Sequence, residues 1–184
     1  MTAFNPTKPL APGEGQRVED AIVIQRPPAE LYRLWQNLER LSEAFEHVES
    51  ITQQAGGRSH WVVKGPLGAR FKWDAEIVNE LENEHIGWQS LPGGDVAAAG
   101  SVHFHPVGDG ATKVVVTLRY DPPGGAMGTL IGSILGFEPA QRIAEDLERF
   151  KGQVESEPTP AKDSVQIASE DSFPASDAPA WTAR

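Results

Sequence analysis

The sequence predicts an α+β fold in which a seven-stranded antiparallel sheet wraps around a long C-terminal helix. Three observations lead to this class. Apolar residues recur at every second position in a series of consecutive segments, which is the period of β-strands. Short turns rich in glycine, proline and asparagine separate these segments and leave no room for crossover helices. A segment with helical spacing of apolar residues follows the last strand.

The first elements are a strand and two short helices. Strand one begins near Val18, alternates as far as Ile24 and is stopped by Pro27-Pro28, which can also open a helix. Asn37 is predicted to cap a second short helix and so to divide one apolar stripe in two. That stripe consists of Leu31, Leu34, Trp35, Leu38, Leu41 and Phe45.

Six further strands and a helix complete the predicted order. The strands fall at about 47–54, 59–64, 71–77, 86–90, 101–105 and 112–120. The helix spans about 127–154, and Pro139 inside it is expected to kink or restart it near Gly136. Domain limits follow from composition: a flexible N-terminal arm at 1–16, one domain at 17–154 and a disordered acidic tail at 155–184.

Composition excludes several classes of function. The 184 residues carry a formal net charge of −10, which argues against nucleic acid as a partner and against a stable electrostatic anchor on anionic lipid. The absence of cysteine excludes disulfides, thiolate nucleophiles and cysteine-ligated zinc. No apolar run reaches the roughly 18 residues of a membrane span, and the N-terminus has no signal-peptide pattern. We therefore expect a cytoplasmic protein that makes at most transient membrane contact.

One stretch of the sequence resembles a known family. The residues IVIQRPPAELYRLWQNLERLSEAFEHVESI are similar to the opening of bacterial members of the polyketide cyclase/dehydrase and lipid-transport family, in the START-like (SRPBCC) superfamily. The resemblance covers roughly 17–154 and implies the helix-grip fold. It implies less about function, because the superfamily includes lipid carriers, quinone-binding proteins, hormone receptors and a few cyclases. We carry over no catalytic residue, cofactor or metal ligand.

Large apolar side chains on successive strands form the candidate ligand-binding set. If they share the concave face of the sheet, they line a cavity that suits a ring-bearing or isoprenoid ligand; the alternative is a filled core. The inward faces of strands one and seven stay open, because both faces there carry apolar residues. The set is Trp61, Val63, Phe71, Trp73, Trp88, Val102 and Phe104, with Val116 and Leu118 on strand seven and Leu130 and Ile134 from the helical region.

A glycine-rich segment, GGAMGTLIGSILGF, contains Gly128, Gly132 and Gly136 at spacings of four. Each interior glycine weakens a helix by up to about 1 kcal/mol relative to alanine. We interpret the segment as a movable lid over the cavity. The alternatives are a small-residue face that meets another helix and close contact between helix and sheet.

Few polar residues point to chemistry. His103 and His105 share one strand face and could begin a metal site, but their alternation with apolar residues predicts plain surface histidines. Ser90 and Tyr120 are candidates to orient a ligand oxygen, and Asp20 is a candidate acid or base that more simply sits at a strand end. No zinc-protease, phosphate-loop or nucleophile-elbow motif is present.

Three functional hypotheses follow. The first is binding or carriage of a hydrophobic small molecule such as a lipid, a quinone or a polyketide-like ring. The second is a cyclase or dehydratase acting on a poly-carbonyl chain, which requires a proton-transfer residue inside the cavity. The third is a protein-interaction module in the tail, where Phe173 and Trp181 would anchor a partner.

Overall fold

The computed structural model describes residues 15–121 and 139–158. Within these ranges seven strands and three α-helices follow one another, with a 3₁₀ turn, Pro66–Gly68, between the third and fourth strands. The elements are β1 (Gln16–Ile24), α1 (Pro28–Gln36), α2 (Leu38–Ala44), β2 (Val48–Gln54), β3 (Arg58–Lys64), β4 (Arg70–Leu81), β5 (His85–Ser90), β6 (Ala97–Val107), β7 (Ala111–Asp121) and α3 (Pro139–Ser156).

The strands form one antiparallel sheet in the order β1-β7-β6-β5-β4-β3-β2. From β2 to β7 each strand pairs with the next along the chain, and β1 closes the far edge against β7. Register shifts interrupt the β2–β3 pairing after Val48 and the β4–β5 pairing after Ile77. Such bulges bend a strand and increase its twist, so they help the sheet to curve around the helices. The predicted fold class is confirmed.

The two short helices begin where the sequence predicts. α1 starts at Pro28, where a proline fits because the first turn of a helix has no partner for its N–H group. Asn37 ends α1 and caps α2, its side-chain oxygen accepting the N–H of Arg40 at 3.3 Å. Leu31 and Leu41 from the predicted stripe are buried, one on each helix.

The strand register settles which faces of β1 and β7 point inward. Val114 pairs with Ile22 on one side and with Phe104 on the other, and both Val114 and Phe104 are buried. Side chains of paired residues lie on the same face. The inner face of β7 therefore carries Val114, Val116 and Leu118, while the outward Val23 of β1 is exposed.

Aromatic rings fill one end of the space between sheet and helices. Phe104 meets Tyr32 and Trp35 edge to face, at ring-centre distances of 6.0 and 6.1 Å. Trp35 also meets Phe45 at 6.0 Å and Phe150 at 5.4 Å. These contacts join α1, α3 and the sheet, and edge-to-face pairs add about 0.5–1.5 kcal/mol each beyond their buried area.

A buried arginine fixes the C-terminal end of α3. Arg26 donates from its guanidinium to the carbonyls of Val154, at 2.9 Å, and Glu157, at 2.6 Å, and it pairs with Glu30 at 3.2 Å. Its own carbonyl accepts the hydroxyl of the fully buried Thr112 at 2.7 Å. A cation at this end of a helix meets the unsatisfied carbonyls and the negative end of the dipole. The Arg26 contacts thus tie α3 to the start of α1.

Several sequence predictions fall wholly or partly outside the described ranges. β1 begins at Gln16, one residue before the predicted domain start, and the rest of the N-terminal arm lies outside. α3 continues to Ser156, two residues past the predicted domain limit at 154. The glycine-rich segment and the tail beyond 158 lie outside the described residues. In the part that is described, no helix combines the length and the hydrophobicity that a membrane crossing requires.

We expect Arg26→Met to lower the free energy of unfolding by about 3 kcal/mol, because it removes the donor of the buried Val154 carbonyl and of the Glu157 carbonyl, and the partner of the partly buried Glu30. Arg17→Met is the matched control: Arg17 pairs with Glu19 at the exposed surface, where an ion pair contributes about 0–1 kcal/mol. Urea unfolding of both variants measures the difference. Equal losses would show that the contacts of Arg26 do not hold α3.

Candidate functional site

A cavity of about 530 Å³ lies between the inner face of the sheet and the helices. Its volume falls within the range of about 300–1,000 Å³ that small-molecule sites occupy. α2 contributes Leu38 and Leu41 to its wall, and α3 contributes Ile143 and Leu147. The opposite wall is formed by residues of β2 to β7.

The side chains on the inner face of β6 become smaller from Phe104 to Ala98, and this decrease in size leaves the space of the cavity. Phe104, Val102, Gly100 and Ala98 follow one another on that face at every second position. Phe104 and Val102 are buried in the filled core, whereas Ala98 is part of the cavity wall. Space therefore opens at the end of β6 where its side chains are smallest.

Three indoles line the sheet side of the cavity. Trp61 and Trp73 are direct partners in the β3–β4 ladder, and their rings stack at 6.0 Å with an interplanar angle of 10°. The ring N–H of Trp61 donates to the Ser59 hydroxyl at 2.9 Å, which satisfies its one polar group inside the protein. Trp88 lies across Gly100, its partner in the β5–β6 ladder. The result is a broad, flat and largely apolar surface.

We expect Gly100→Ala to lower the free energy of unfolding by about 1–3 kcal/mol and to displace the Trp88 ring. A Cβ atom at Gly100 would lie 2.4 Å from a ring carbon of Trp88, so the indole must move. Gly152→Ala is the control, because a Cβ there meets nothing within 4 Å, and alanine favours the helix by up to about 1 kcal/mol. Urea unfolding and tryptophan emission measure both effects; an unchanged Gly100→Ala protein would contradict the contact.

The structure brings part of the predicted ligand-binding set together. Trp61, Val63, Trp73 and Trp88 all line the cavity. Val116 and Leu118 join them from β7. Leu130 and Ile134 lie outside the described residues.

Three members of the set, Phe71, Val102 and Phe104, do not line the cavity. Phe104 belongs to the aromatic core with Tyr32, and Val102 is fully buried in the same core. Phe71 covers the turn at Gly65, where a Cβ atom would lie 2.3 Å from its ring. All three occupy the alternating positions that the sequence assigned to the inner face, but the cavity borders only part of that face.

A polar corner of the cavity, formed by His47, Arg142 and Asp146, was not predicted from the sequence. One guanidinium nitrogen of Arg142, Nη1, contacts both ring nitrogens of His47 and lies 2.7 Å from Nδ1. Oδ1 of Asp146 accepts the N–H of Glu46 at 3.1 Å and a guanidinium N–H of Arg149 at 3.2 Å. Arg142 and Asp146 stand four apart on α3, a spacing that puts them on one helix face, but nothing in the sequence places that face beside His47.

Burial shifts the pKa values of two side chains at this corner, His47 and Asp146. Burial, and then the neighbouring Arg142 charge, lower the pKa of His47, whereas nearby carboxylates raise it less. Burial also raises the pKa of Asp146, against the opposing effect of its bond from Glu46. Each shift favours the neutral form of the side chain. The cavity wall thus contains titratable groups with perturbed pKa values beside a permanent cation.

We expect the imidazole of His47 to titrate below the ordinary midpoint of about 6.5 in an NMR pH titration. In Arg142→Met the midpoint should rise, because one of the two causes of the lowered pKa is removed while the burial remains. A midpoint at or above 6.5 in the unaltered protein would contradict the placement of His47.

Two acidic residues of β4 also border the cavity, and both carboxylates have donors within the protein. Glu80 accepts the hydroxyl of Tyr32 and the amide of Gln36, the latter at 2.8 Å. Burial and this contact raise the pKa of Tyr32 to about 12. Glu76 accepts the amide of Gln89 at 3.1 Å. These acids are therefore held by hydrogen bonds from the protein.

The polar residues that the sequence singled out lie away from the cavity wall. The Ser90 hydroxyl accepts the N–H of Ala98 at 2.9 Å, and the Tyr120 hydroxyl donates to Gln16 at 2.8 Å. Asp20 is on the inner face of β1, but its carboxylate accepts the N–H of Ala21 at 2.8 Å. All three side chains thus make contacts within the sheet.

The histidines on β5 and β6 form a stack on the outer face of the sheet. His103 lies between His85, at a ring-centre distance of 5.2 Å, and His105, at 5.9 Å. Burial and the two neighbouring imidazoles lower the pKa of His103. Among residues 15–121 and 139–158, no three acidic or histidine side chains converge to hold a metal ion.

Comparison with known proteins identifies the family. The model of the family described as polyketide cyclase / dehydrase and lipid transport matches residues 24–148. The chain belongs to this family. It is also 32% identical over 139 residues to an uncharacterized 17.2 kDa protein of Streptomyces lincolnensis, covering 76% of this chain and 89% of that protein.

Solved structures of similar proteins share the fold. A protein of Deinococcus radiodurans is 34% identical, with a TM-score of 0.61 over 76% of this chain and 98% of its own. A START superfamily protein of Mycobacterium smegmatis is 16% identical, with a TM-score of 0.57 over 76% of this chain and 99% of its own. The family and the helix-grip fold that the sequence resemblance implied are both confirmed.

Proposed function

We propose that this protein binds a hydrophobic small molecule in the cavity between sheet and helices and carries it. The observation that supports this function is a hollow of about 530 Å³ walled by stacked indoles. Protein interiors are normally close-packed, so an unfilled space of this size gives up contact energy that a filled core would gain. A ligand in the cavity restores those contacts.

The shape and chemistry of the wall suggest the ligand class. The parallel rings of Trp61 and Trp73, with Trp88 on the next strand, present flat apolar surface. Each large aromatic buries about 150–250 Å² when covered, and flat rings are covered best by flat or extended hydrophobic groups. A ring-bearing, isoprenoid or lipid-like molecule fits this wall. The family description, which includes lipid transport, agrees with such a ligand.

We expect Trp73→Ala to weaken binding of N-phenyl-1-naphthylamine, an uncharged aromatic probe, by about tenfold while the fold is kept. Trp73 is only partly buried and lies outside the aromatic core, so its loss opens the cavity without removing core contacts. Leu67→Ala is the control, because Leu67 is 92% exposed and away from the wall. Fluorescence titration gives the affinities, and circular dichroism gives the fold. Unfolding of Trp73→Ala would indicate a structural role for the ring instead.

A second candidate function is a cyclase or dehydratase, and one observation favours it. That hypothesis requires a proton-transfer group at the cavity wall, and His47 and Asp146 are titratable groups in that position. The two functions differ in what becomes of the ligand. Ligand recovered unchanged after prolonged incubation supports carriage, and conversion of a poly-carbonyl compound supports catalysis.

A further inference from the structure

We propose, building on the proposed function, that Ser59 is a ligand-binding residue whose hydroxyl donates a hydrogen bond to an oxygen acceptor of the ligand beside the Trp61 ring. A carbonyl or ether oxygen is such an acceptor. The tryptophan wall holds the hydrophobic body of the molecule, and the hydroxyl of Ser59 sets where its oxygen lies.

The hydroxyl group of Ser59 carries one hydrogen without an acceptor in the part of the chain that the structure describes. Its oxygen accepts the ring N–H of Trp61 at 2.9 Å. The direction of this bond is fixed, because an indole N–H can only donate. A hydroxyl that accepts one hydrogen bond still has its own hydrogen to donate. The contact with Trp61 therefore orients Ser59 without using this hydrogen.

Ser59 is buried, and it also forms part of the cavity wall. Its exposed fraction is 9%, and it is the one polar residue of the described wall that is buried. A hydrophobic ligand that fills the cavity displaces water from this hydroxyl, and a buried donor without an acceptor costs free energy. A ligand that brings an oxygen acceptor to Ser59 avoids this cost.

The neighbours of Ser59 leave its hydroxyl accessible from the cavity. Its direct partner on β4 is Ala75, which has only a methyl group, so no large side chain at that position covers the hydroxyl. The paired indoles of Trp61 and Trp73 lie one step further along the same face of the sheet. An oxygen bonded to Ser59 would therefore sit at the edge of a ring system that covers the indoles.

Other polar groups near Ser59 lack one or the other of its two properties. Gln53 and Arg58 also line the cavity, but both side chains are exposed, so solvent can satisfy their donors. Ser90 is buried, and its hydroxyl likewise accepts one N–H, that of Ala98 at 2.9 Å, but it is not part of the cavity wall. Ser90 is therefore a matched control for Ser59.

Two naphthalenes that differ in one group test the proposal. 2-Acetylnaphthalene carries a carbonyl oxygen, and 2-isopropenylnaphthalene carries a CH₂ group in its place. Displacement of N-phenyl-1-naphthylamine gives the affinity for each. In Ser59→Ala the affinity for the ketone should fall about fivefold, equivalent to about 1 kcal/mol, while the affinity for the hydrocarbon stays within about twofold. Ser90→Ala should change neither affinity by more than about twofold, because its hydroxyl lies off the wall.

Infrared spectroscopy of the bound ketone provides a test on the unaltered protein, which does not depend on whether a variant folds. A hydrogen bond to a carbonyl oxygen lowers its stretching frequency. The carbonyl band of bound 2-acetylnaphthalene, labelled with carbon-13, should therefore lie below its position in hexane. The band should return towards the hexane position in Ser59→Ala and stay lowered in Ser90→Ala.

The outcomes separate this proposal from the function on which it rests. A carbonyl band at the hexane position in the unaltered protein, or a lowered band that persists in Ser59→Ala, would overturn the role of Ser59 and leave hydrophobic binding intact. Equal losses for ketone and hydrocarbon in Ser59→Ala would show that Ser59 only holds the Trp61 ring, and would also overturn it. If none of the three compounds binds the unaltered protein, the proposed function itself is wrong.

Discussion

Both the filled core and the cavity depend on the position of Trp35. Its indole meets Phe45, Phe104 and Phe150 edge to face, so one side chain on α1 joins α3, the sheet and the segment after α2. The same residue forms part of the cavity wall. The filled core thus stops at Trp35 and the hollow begins there, which allows the chain to keep an unfilled volume without losing a stable centre.

The division between filled and hollow regions follows from side-chain size along β6. Phe104 occupies the space beneath α1, whereas Ala98 cannot reach the helices. Gly100 has a second effect, because the missing Cβ lets Trp88 lie flat against the strand and widen the wall. Small residues on the inner face of a strand normally weaken a sheet by removing contacts. Here they create the space and shape the surface that borders it.

The fold could be predicted from the sequence because it rests on local periodicity. Alternation in β4 and the stripe that Asn37 divides are properties of neighbouring residues, and the structure has both. The site was predicted less completely. Apolar alternation is the same in a filled core as in a cavity wall, so Phe104 could not be told apart from Trp61. The contact between His47 and Arg142 joins residues 95 positions apart and depends on how α3 is rotated against the sheet. No short-range pattern encodes that rotation.

The polar corner makes one side of the cavity chemically different from the tryptophan wall. Apolar burial scales with the area removed from water and discriminates little between molecules of similar size. Specificity comes from the few polar groups that a ligand must satisfy or leave buried without a partner. In this cavity Arg142 and His47 stand on the helix side, and the indoles stand on the sheet side. A ligand of the proposed class that covers the indoles would therefore face the polar corner with its other side. This orientation would serve a carrier by selecting its cargo, and it would serve an enzyme by presenting one end of the substrate to His47 and Asp146.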